Sequence, residues 1–253
     1  MHNLSGKTVL VTGACGTVGR ACLEAFLERG ARVMLTDRAV PPTDMTDHPD
    51  VYFHAADVRD RLAVNTAFAA GLERFGAIDA AVLAAGVEGV AAVVEEISEA
   101  DMDEVLGVNV KGALFWMQCC LREMKARRRG SIVALSSISG VVGSASLAAY
   151  TMSKHAVIGL VRAAALESGR YDVRVNAVCP GPIESDMMRR LDKALSALDP
   201  NRAGGQADAA KALPLQRYVA ASDVAGMIAF LCGDESASCH GGAYMIDGGF
   251  TAR

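Results

Sequence analysis

Short apolar runs recur along this chain, each closed by glycine or a polar residue, and between them lie stretches with helical spacing. The run Val9-Leu10-Val11 within Thr8–Thr12 ends at Gly13, as a buried parallel strand does. The helix predicted next keeps Val18, Ala21, Cys22, Ala25 and Phe26 on one face and stops at Gly30. A second run, Val33-Met34-Leu35, ends at Thr36-Asp37. Residues 38–50 hold Pro41, Pro42 and Pro49 without helical period and read as a loop. A strand over 51–55 follows, then a helix with Val64, Phe68, Leu72 and Phe75 on one face, then a strand over 78–83 closed by Ala84-Ala85-Gly86. One long helical region is predicted over 98–129, a strand over 131–136, and a helix running from Tyr150 through Val157, Leu160, Val161 and Ala164. The remaining elements are a strand over 173–178 ending at Cys179-Pro180-Gly181, a helix over 223–232 and a last strand over 243–246. No linker, repeat or low-complexity tract interrupts this alternation, so the pattern predicts a single α/β domain, 1–253, with a doubly wound parallel sheet.

Composition agrees and excludes several alternatives. At 253 residues, 51% hydrophobic and 21% charged, the chain is long enough to bury a large core. A formal net charge of -4 leaves no basic surface for nucleic acid. The run Arg127-Arg128-Arg129 followed by Gly130 reads as cations and a glycine at a helix C-terminus. Residues 1–7 are polar and the apolar run after them is short, which argues against a secretory leader. The oily stretch 77–94 carries Asp79 and Glu88 and is not expected to span a membrane. Seven scattered cysteines fit a reducing, cytoplasmic setting. Asp44, Asp47, His48 and Asp50 lack metal-ligand spacing and read as a solvated acidic loop.

Two constellations carry chemistry. The first is strand, T-G-A-C-G-T-V-G turn, helix, strand, acid. Glycines let the backbone approach a pyrophosphate at the helix N-terminus, and Asp37 lies at about the ~20-residue offset of an acid that binds ribose hydroxyls. The second is Tyr150 and Lys154 at i and i+4, on one face of a helix, with Ser137 at the end of a strand-like run. A free phenol titrates near ~10, and a neighbouring ammonium favours the phenolate. Asn109, among apolar neighbours, reads as a packed hydrogen-bonding residue or, beside a catalytic site, as a holder of water.

With S-S-I-S-G before Y-T-M-S-K, N-V-K-G around Asn109, P-G-P-I-E-S and a closing I-D-G-G, the chain resembles the short-chain dehydrogenase/reductase family over essentially its whole length. The resemblance implies a seven-stranded Rossmann sheet and a homotetramer acting on small-molecule alcohols or ketones with NAD. It implies Tyr150 as acid/base, Ser137 on the substrate oxygen, Lys154 on the nicotinamide ribose while lowering the tyrosine pKa, and Asn109 holding a water in the proton relay. Gly13, Gly16, Thr17, Val18 and Gly19 then form the phosphate loop, Asp37 meets the ribose and Asp57 and Val58 flank the adenine. Ala85, Gly86, Pro180, Gly181 and Ile183 join Tyr150 and Lys154 along the cofactor. Asp37 favours NAD over NADP, although Arg38 beside it is a possible 2′-phosphate partner. Two departures stand: Thr17 replaces a family glycine, with Gly16 one place earlier, and Leu83-Ala84 replaces the N-N of N-N-A-G, removing amides that brace the sheet. Within the class, carrier-protein-linked β-ketoacyl reductases and dihydrodiol dehydrogenases are alternatives. A dinucleotide-sensing regulator is the non-enzymatic one.

The segment 182–214 falls where this family builds its substrate-covering loop. Met187, Met188, Leu191, Leu195 and Leu198 recur there at helical spacing with Ser185 as N-cap, which predicts a lid helix favouring an apolar, cyclic substrate body or else fixed packing. Residues 199–205 are turn chemistry.

Overall fold

The computed structural model describes residues 4–199, 210–211 and 213–252. Its strands are β1 (Thr8–Thr12), β2 (Arg32–Asp37), β3 (Val51–Ala55), β4 (Ala80–Leu83), β5 (Gly130–Leu135), β6 (Val173–Pro180) and β7 (Ala243–Ile246). All pair in parallel in one seven-stranded sheet of order β3-β2-β1-β4-β5-β6-β7. The order changes direction between β1 and β4, which opens a crevice at the carboxyl ends of the strands. The helices are α1 (Thr17–Leu27), α2 (Arg61–Phe75), α3 (Glu99–Leu106), α4 (Ala113–Arg127), α5 (Ala148–Ser168), α6 (Asp186–Leu198) and α7 (Ala221–Cys232). None among the described residues is long and apolar enough to cross a membrane.

Strand residues go alternately to the two faces of the sheet, and helices cover both. Leu10, Met34, Ala81 and Ile132 join Val64 and Phe68 of α2, Trp116 and Met124 of α4 and Val157 and Val161 of α5 in one core. Val9, Val33, Leu35, Val82 and Val133 join Cys22 and Phe26 of α1 and Val224 and Ile228 of α7 in the other. Burial on both faces is why the strands read as unbroken apolar runs. Trp116, 1% exposed, is the largest side chain in the first core. Trp116→Leu is expected to cost about 2–3 kcal/mol of stability through the cavity it leaves, read as a lower urea midpoint by circular dichroism.

Two local readings are corrected. The region 98–129 is not one regular helix, because a π turn over Gly107–Gly112 separates α3 from α4. Gly112 lies so close to Val58 that an added Cβ would stand 2.6 Å from its Cγ2, which keeps the widened turn against the crevice wall. The left-handed residue ending α4 is Arg128, at φ 53, and not Gly130, which opens β5. Gly130 is required by packing, since a Cβ there would meet Met124 Sδ at 2.4 Å. Arg127 is held as well: it donates to the Ile78 carbonyl at 2.6 Å and pairs with Asp79 and Glu123, tying the end of α4 to the chain entering β4. The loop 38–50 contains a short 3₁₀ turn at Thr43–Met45, and no cluster suited to a metal occurs among the described residues.

Candidate active site

The carboxyl ends of β1, β2, β4, β5 and β6 open into a cleft of about 1110 Å³. Gly13, Gly16, Thr17, Val18, Gly19, Asp37, Asp57, Val58, Ala85, Gly86, Ser137, Tyr150, Lys154, Pro180, Gly181 and Ile183 all line it. Asn109 does not.

The turn after β1 leaves no room for a side chain at two of its glycines. Gly13 sits at φ +67, and a Cβ on it would stand 2.7 Å from the backbone of Ala85. A Cβ on Gly19 would stand 2.3 Å from the Gly13 carbonyl oxygen. Thr17, in contrast, takes the first helical position of α1, with Gly16 as an extended N-cap, so the family's glycine is not needed there for backbone freedom. The missing amides after β4 are replaced from the backbone: Thr12 Oγ1 accepts the N–H of Ala84 at 3.0 Å and of Ala85 at 3.2 Å. The bracing survives the Leu83-Ala84 departure because it runs through a threonine hydroxyl and main-chain donors.

Asp37, at the end of β2, accepts the Cys15 N–H at 3.0 Å through one oxygen and the Ala39 N–H at 3.0 Å through the other. Its carboxylate is thereby aimed across the glycine turn while each oxygen keeps a lone pair. Asp57 forms a bidentate pair with Arg59, which, against the opposing effect of partial burial and with help from the nearby Arg38, holds its carboxyl below the ordinary range.

Ser137 stands just past β5, and its hydroxyl accepts the Ser139 N–H at 3.2 Å, capping the 3₁₀ turn Ile138–Gly140. On α5, Lys154 Nζ donates to the Leu135 carbonyl at 2.9 Å and lies 5.5 Å from the centre of the Tyr150 ring. Ser136 Oγ donates to the Lys154 carbonyl at 2.9 Å, locking α5 against the end of β5. The three groups therefore converge at the inner end of the cleft. Burial acts on both titrating groups. Burial pushes the Tyr150 phenol up to about 12; hydrogen bonding with Ser137 draws it down, and the Glu88 carboxylate raises it again. Lys154 is buried too and is brought down to about 8, so its ammonium is a weakened partner. The protein's own groups leave the phenol protonated.

Lys154 carries a stability cost with a defined sign. Its fall from 10.5 to about 8 corresponds to about 3 kcal/mol against the folded, charged form. Below about 8 both states hold the proton and the cost is complete; between about 8 and 10.5 the folded state releases it first, so stability rises with pH. Lys154→Met is expected to stabilise the protein by about 1–3 kcal/mol at neutral pH, after about 1 kcal/mol lost at the Leu135 carbonyl. That gain should shrink through the same pH window, as measured by urea denaturation.

Asn109 is 2% exposed and forms part of the π turn. Its amide donates to the Val87 carbonyl and to Ser153 Oγ, both at 2.9 Å, and its oxygen accepts the Val87 N–H at 2.8 Å. Both amide hydrogens are thus used inside the protein, which makes the side chain a clamp on the loop just after Gly86.

Over the cleft lies α6, capped by Ser185 Oγ accepting the Met188 N–H at 3.1 Å, with Met187, Met188, Leu191, Leu195 and Leu198 all lining the cleft. The turn residues 200–205 lie outside the described residues. Glu88, largely buried, pairs with Arg190 of α6 at 2.7 Å. Hydropathy marks neither residue as functional, because a pair separated by a hundred positions leaves no local signal.

The fold and cleft define a dinucleotide-binding α/β protein. Residues 13–251 match the family described as enoyl-(acyl carrier protein) reductase. The chain is 32% identical to levodione reductase of Leifsonia aquatica, covering 97% of this chain and 94% of that one. It is 34% identical to sorbitol dehydrogenase of Cereibacter sphaeroides, covering 97% and 98%. The levodione reductase crystal structure superposes with a TM-score of 0.92 at 30% identity over 98% of each chain. ElxO with NADP bound gives 0.89 at 27% identity over 100% of each, and NAD+-bound xylitol dehydrogenase gives 0.88 at 30% over 97% and 99%. This chain belongs to the short-chain dehydrogenase/reductase family, an oxidoreductase family that uses a nicotinamide dinucleotide.

Proposed function

We propose that this protein is an NAD-dependent oxidoreductase that interconverts a secondary alcohol and a ketone, with Tyr150 as its acid/base. The observation that carries this reading is the convergence of Ser137, Tyr150 and Lys154 in the cleft that the tight turn of Gly13 and Gly19 also lines. That turn and the carboxylate of Asp37 fit the phosphates and ribose of a dinucleotide. Bound and oxidised, the dinucleotide supplies a hydride acceptor and a positive charge. The Ser137 hydroxyl donates to the substrate oxygen and orients it, and Tyr150 Oη takes that oxygen's proton in oxidation and returns it in reduction. Lys154, anchored on the Leu135 carbonyl, presents its remaining donors to the cofactor ribose and the phenol. Asn109 holds the turn that positions the cofactor-facing backbone of Ala85 and Gly86. The apolar side of α6 excludes water from the reacting atoms and favours an apolar substrate body. Incubating the protein with NAD+ and a panel of alicyclic and acyclic secondary alcohols, while following absorbance of reduced cofactor, tests this reading. Dinucleotide binding without turnover on any of them would favour a sensor.

The preference for NAD rests on Asp37, whose fixed carboxylate repels a 2′-phosphate. Arg20 and Arg38 also line the cleft, so the choice is open to test. Native protein is expected to favour NAD about tenfold or more in kcat/KM, and Asp37→Ser to reduce that ratio several-fold by relieving the repulsion. Comparable kcat/KM values for the two cofactors in the native protein would reverse the assignment.

We further propose a homotetramer in the cytoplasm. Met152 and Leu166 of α5 are 53% and 90% exposed, large apolar side chains that a neighbouring subunit would cover. Light scattering checks the subunit number.

A further inference from the structure

Helix α5 carries a fully buried serine, Ser153, that lines no part of the cleft. It stands three residues after Tyr150 and one before Lys154, and its hydroxyl joins two elements. Ser153 Oγ donates to the Tyr150 carbonyl at 2.7 Å and accepts from Asn109 Nδ2 at 2.9 Å. The direction of each bond is fixed. The Val87 N–H can only donate, so it holds the side-chain oxygen of Asn109 and turns the amide nitrogen towards Ser153 and the Val87 carbonyl. That nitrogen takes a lone pair of the Ser153 hydroxyl, whose own hydrogen goes to Tyr150. An unbroken chain of hydrogen bonds therefore runs from the backbone of Tyr150 through Ser153 and Asn109 to Val87. It ends one residue from Gly86, which is itself confined: a Cβ there would stand 3.3 Å from Asn109 Oδ1 and 3.4 Å from Lys154 Nζ. The loop after β4, the π turn and α5 meet around that glycine.

We propose that Ser153 is a positioning residue that acts through Asn109: it sets the spacing between Tyr150 and Lys154 on α5 and the cofactor-facing backbone of Ala85 and Gly86. The proposal rests on the reading of Tyr150 as the acid/base and of the cleft as a dinucleotide site. Hydride and proton transfer require the nicotinamide, the reacting carbon and the phenol to be aligned together, and a small misplacement is costly. The chain holds that alignment because Ser153 and Asn109 are 0% and 2% exposed, so a member that moves loses a bond that water does not replace. Alanine at position 153 removes the acceptor of one Asn109 hydrogen and leaves a buried N–H unpaired. The π turn and the loop after β4 then shift to satisfy it. Alanine is a better helix former than serine, so α5 itself persists.

The test compares Ser153→Ala, Asn109→Ala and the double variant in the full-length protein. Dinucleotide affinity, kcat and KM for alcohol oxidation and the primary deuterium isotope effect are followed, together with the emission of bound NADH, which reports the surroundings of the nicotinamide ring. Ser153→Ala is expected to lower kcat about tenfold and to raise the isotope effect, as hydride transfer becomes the slower step. KM and the dinucleotide Kd should stay within about twofold of native, because the groups that bind are untouched. The emission of bound NADH should change in intensity. Asn109→Ala should lower kcat at least as much, and adding Ser153→Ala to it should cost no more than about a further twofold. A Ser153→Ala protein with native kcat and native NADH emission, changed only in its urea midpoint, would make Ser153 a packing residue and overturn the proposal. Losses that multiply in the double variant would overturn the route through Asn109. Native protein that turned over no alcohol would count against the proposed function, and the NADH emission, which needs no substrate, would still decide the positioning. Native protein that bound no dinucleotide would overturn both.

Discussion

Tyr150→Phe is expected to lower turnover by about 10²–10⁴-fold while dinucleotide binding and folding persist. The ring keeps its packing on α5 and the Lys154 amine keeps its anchor on the Leu135 carbonyl, so the substitution removes only the titrating oxygen. Burial holds that phenol at about 12 with the protein's groups alone, so oxidation should accelerate with rising pH, and the rising limb should vanish in Tyr150→Phe. Steady-state kinetics across pH, with dinucleotide binding followed by calorimetry, checks both parts. Retention of near-native turnover would require a different proton acceptor.

The second large effect belongs to the glycine turn. Gly13→Val is expected to abolish measurable dinucleotide binding and to destabilise the fold, because two penalties coincide. The residue lies at φ +67, which costs an L-residue about 1–2 kcal/mol, and its Cβ would stand 2.7 Å from the main chain of Ala85, which cannot rotate away. Gly19→Ala should weaken binding nearly as much, with a Cβ 2.3 Å from the Gly13 carbonyl oxygen. Gly16→Ala provides the internal comparison: at 3.2 Å from that oxygen and without positive φ, it should be far milder. Calorimetric titration with NAD+ beside urea denaturation separates lost binding from lost fold. A Gly13→Val protein that bound normally would mean that the dinucleotide does not approach this turn.

Most of the architecture was determined by the sequence itself. Val9-Leu10-Val11 and Val33-Met34-Leu35 are strands because they are β-prone and apolar on both faces, and no other placement buries them. Tyr150 and Lys154 share a face because helical spacing requires it, and Ser185 caps α6 through a local hydroxyl bond. Such features depend on neighbours within a few residues. Tertiary structure decided whatever depends on distant partners. It placed the left-handed turn on Arg128, because the demand on Gly130 comes from Met124 packing against it. It made Asn109 a clamp through Val87 and Ser153, and it let Thr12 brace the strand end where asparagines are missing. It set the protonation of Tyr150 and Lys154 as well: i, i+4 spacing brings the amine to the phenol, but the depth of burial, which only the assembled sheet and helices determine, raises one group to about 12 and lowers the other to about 8.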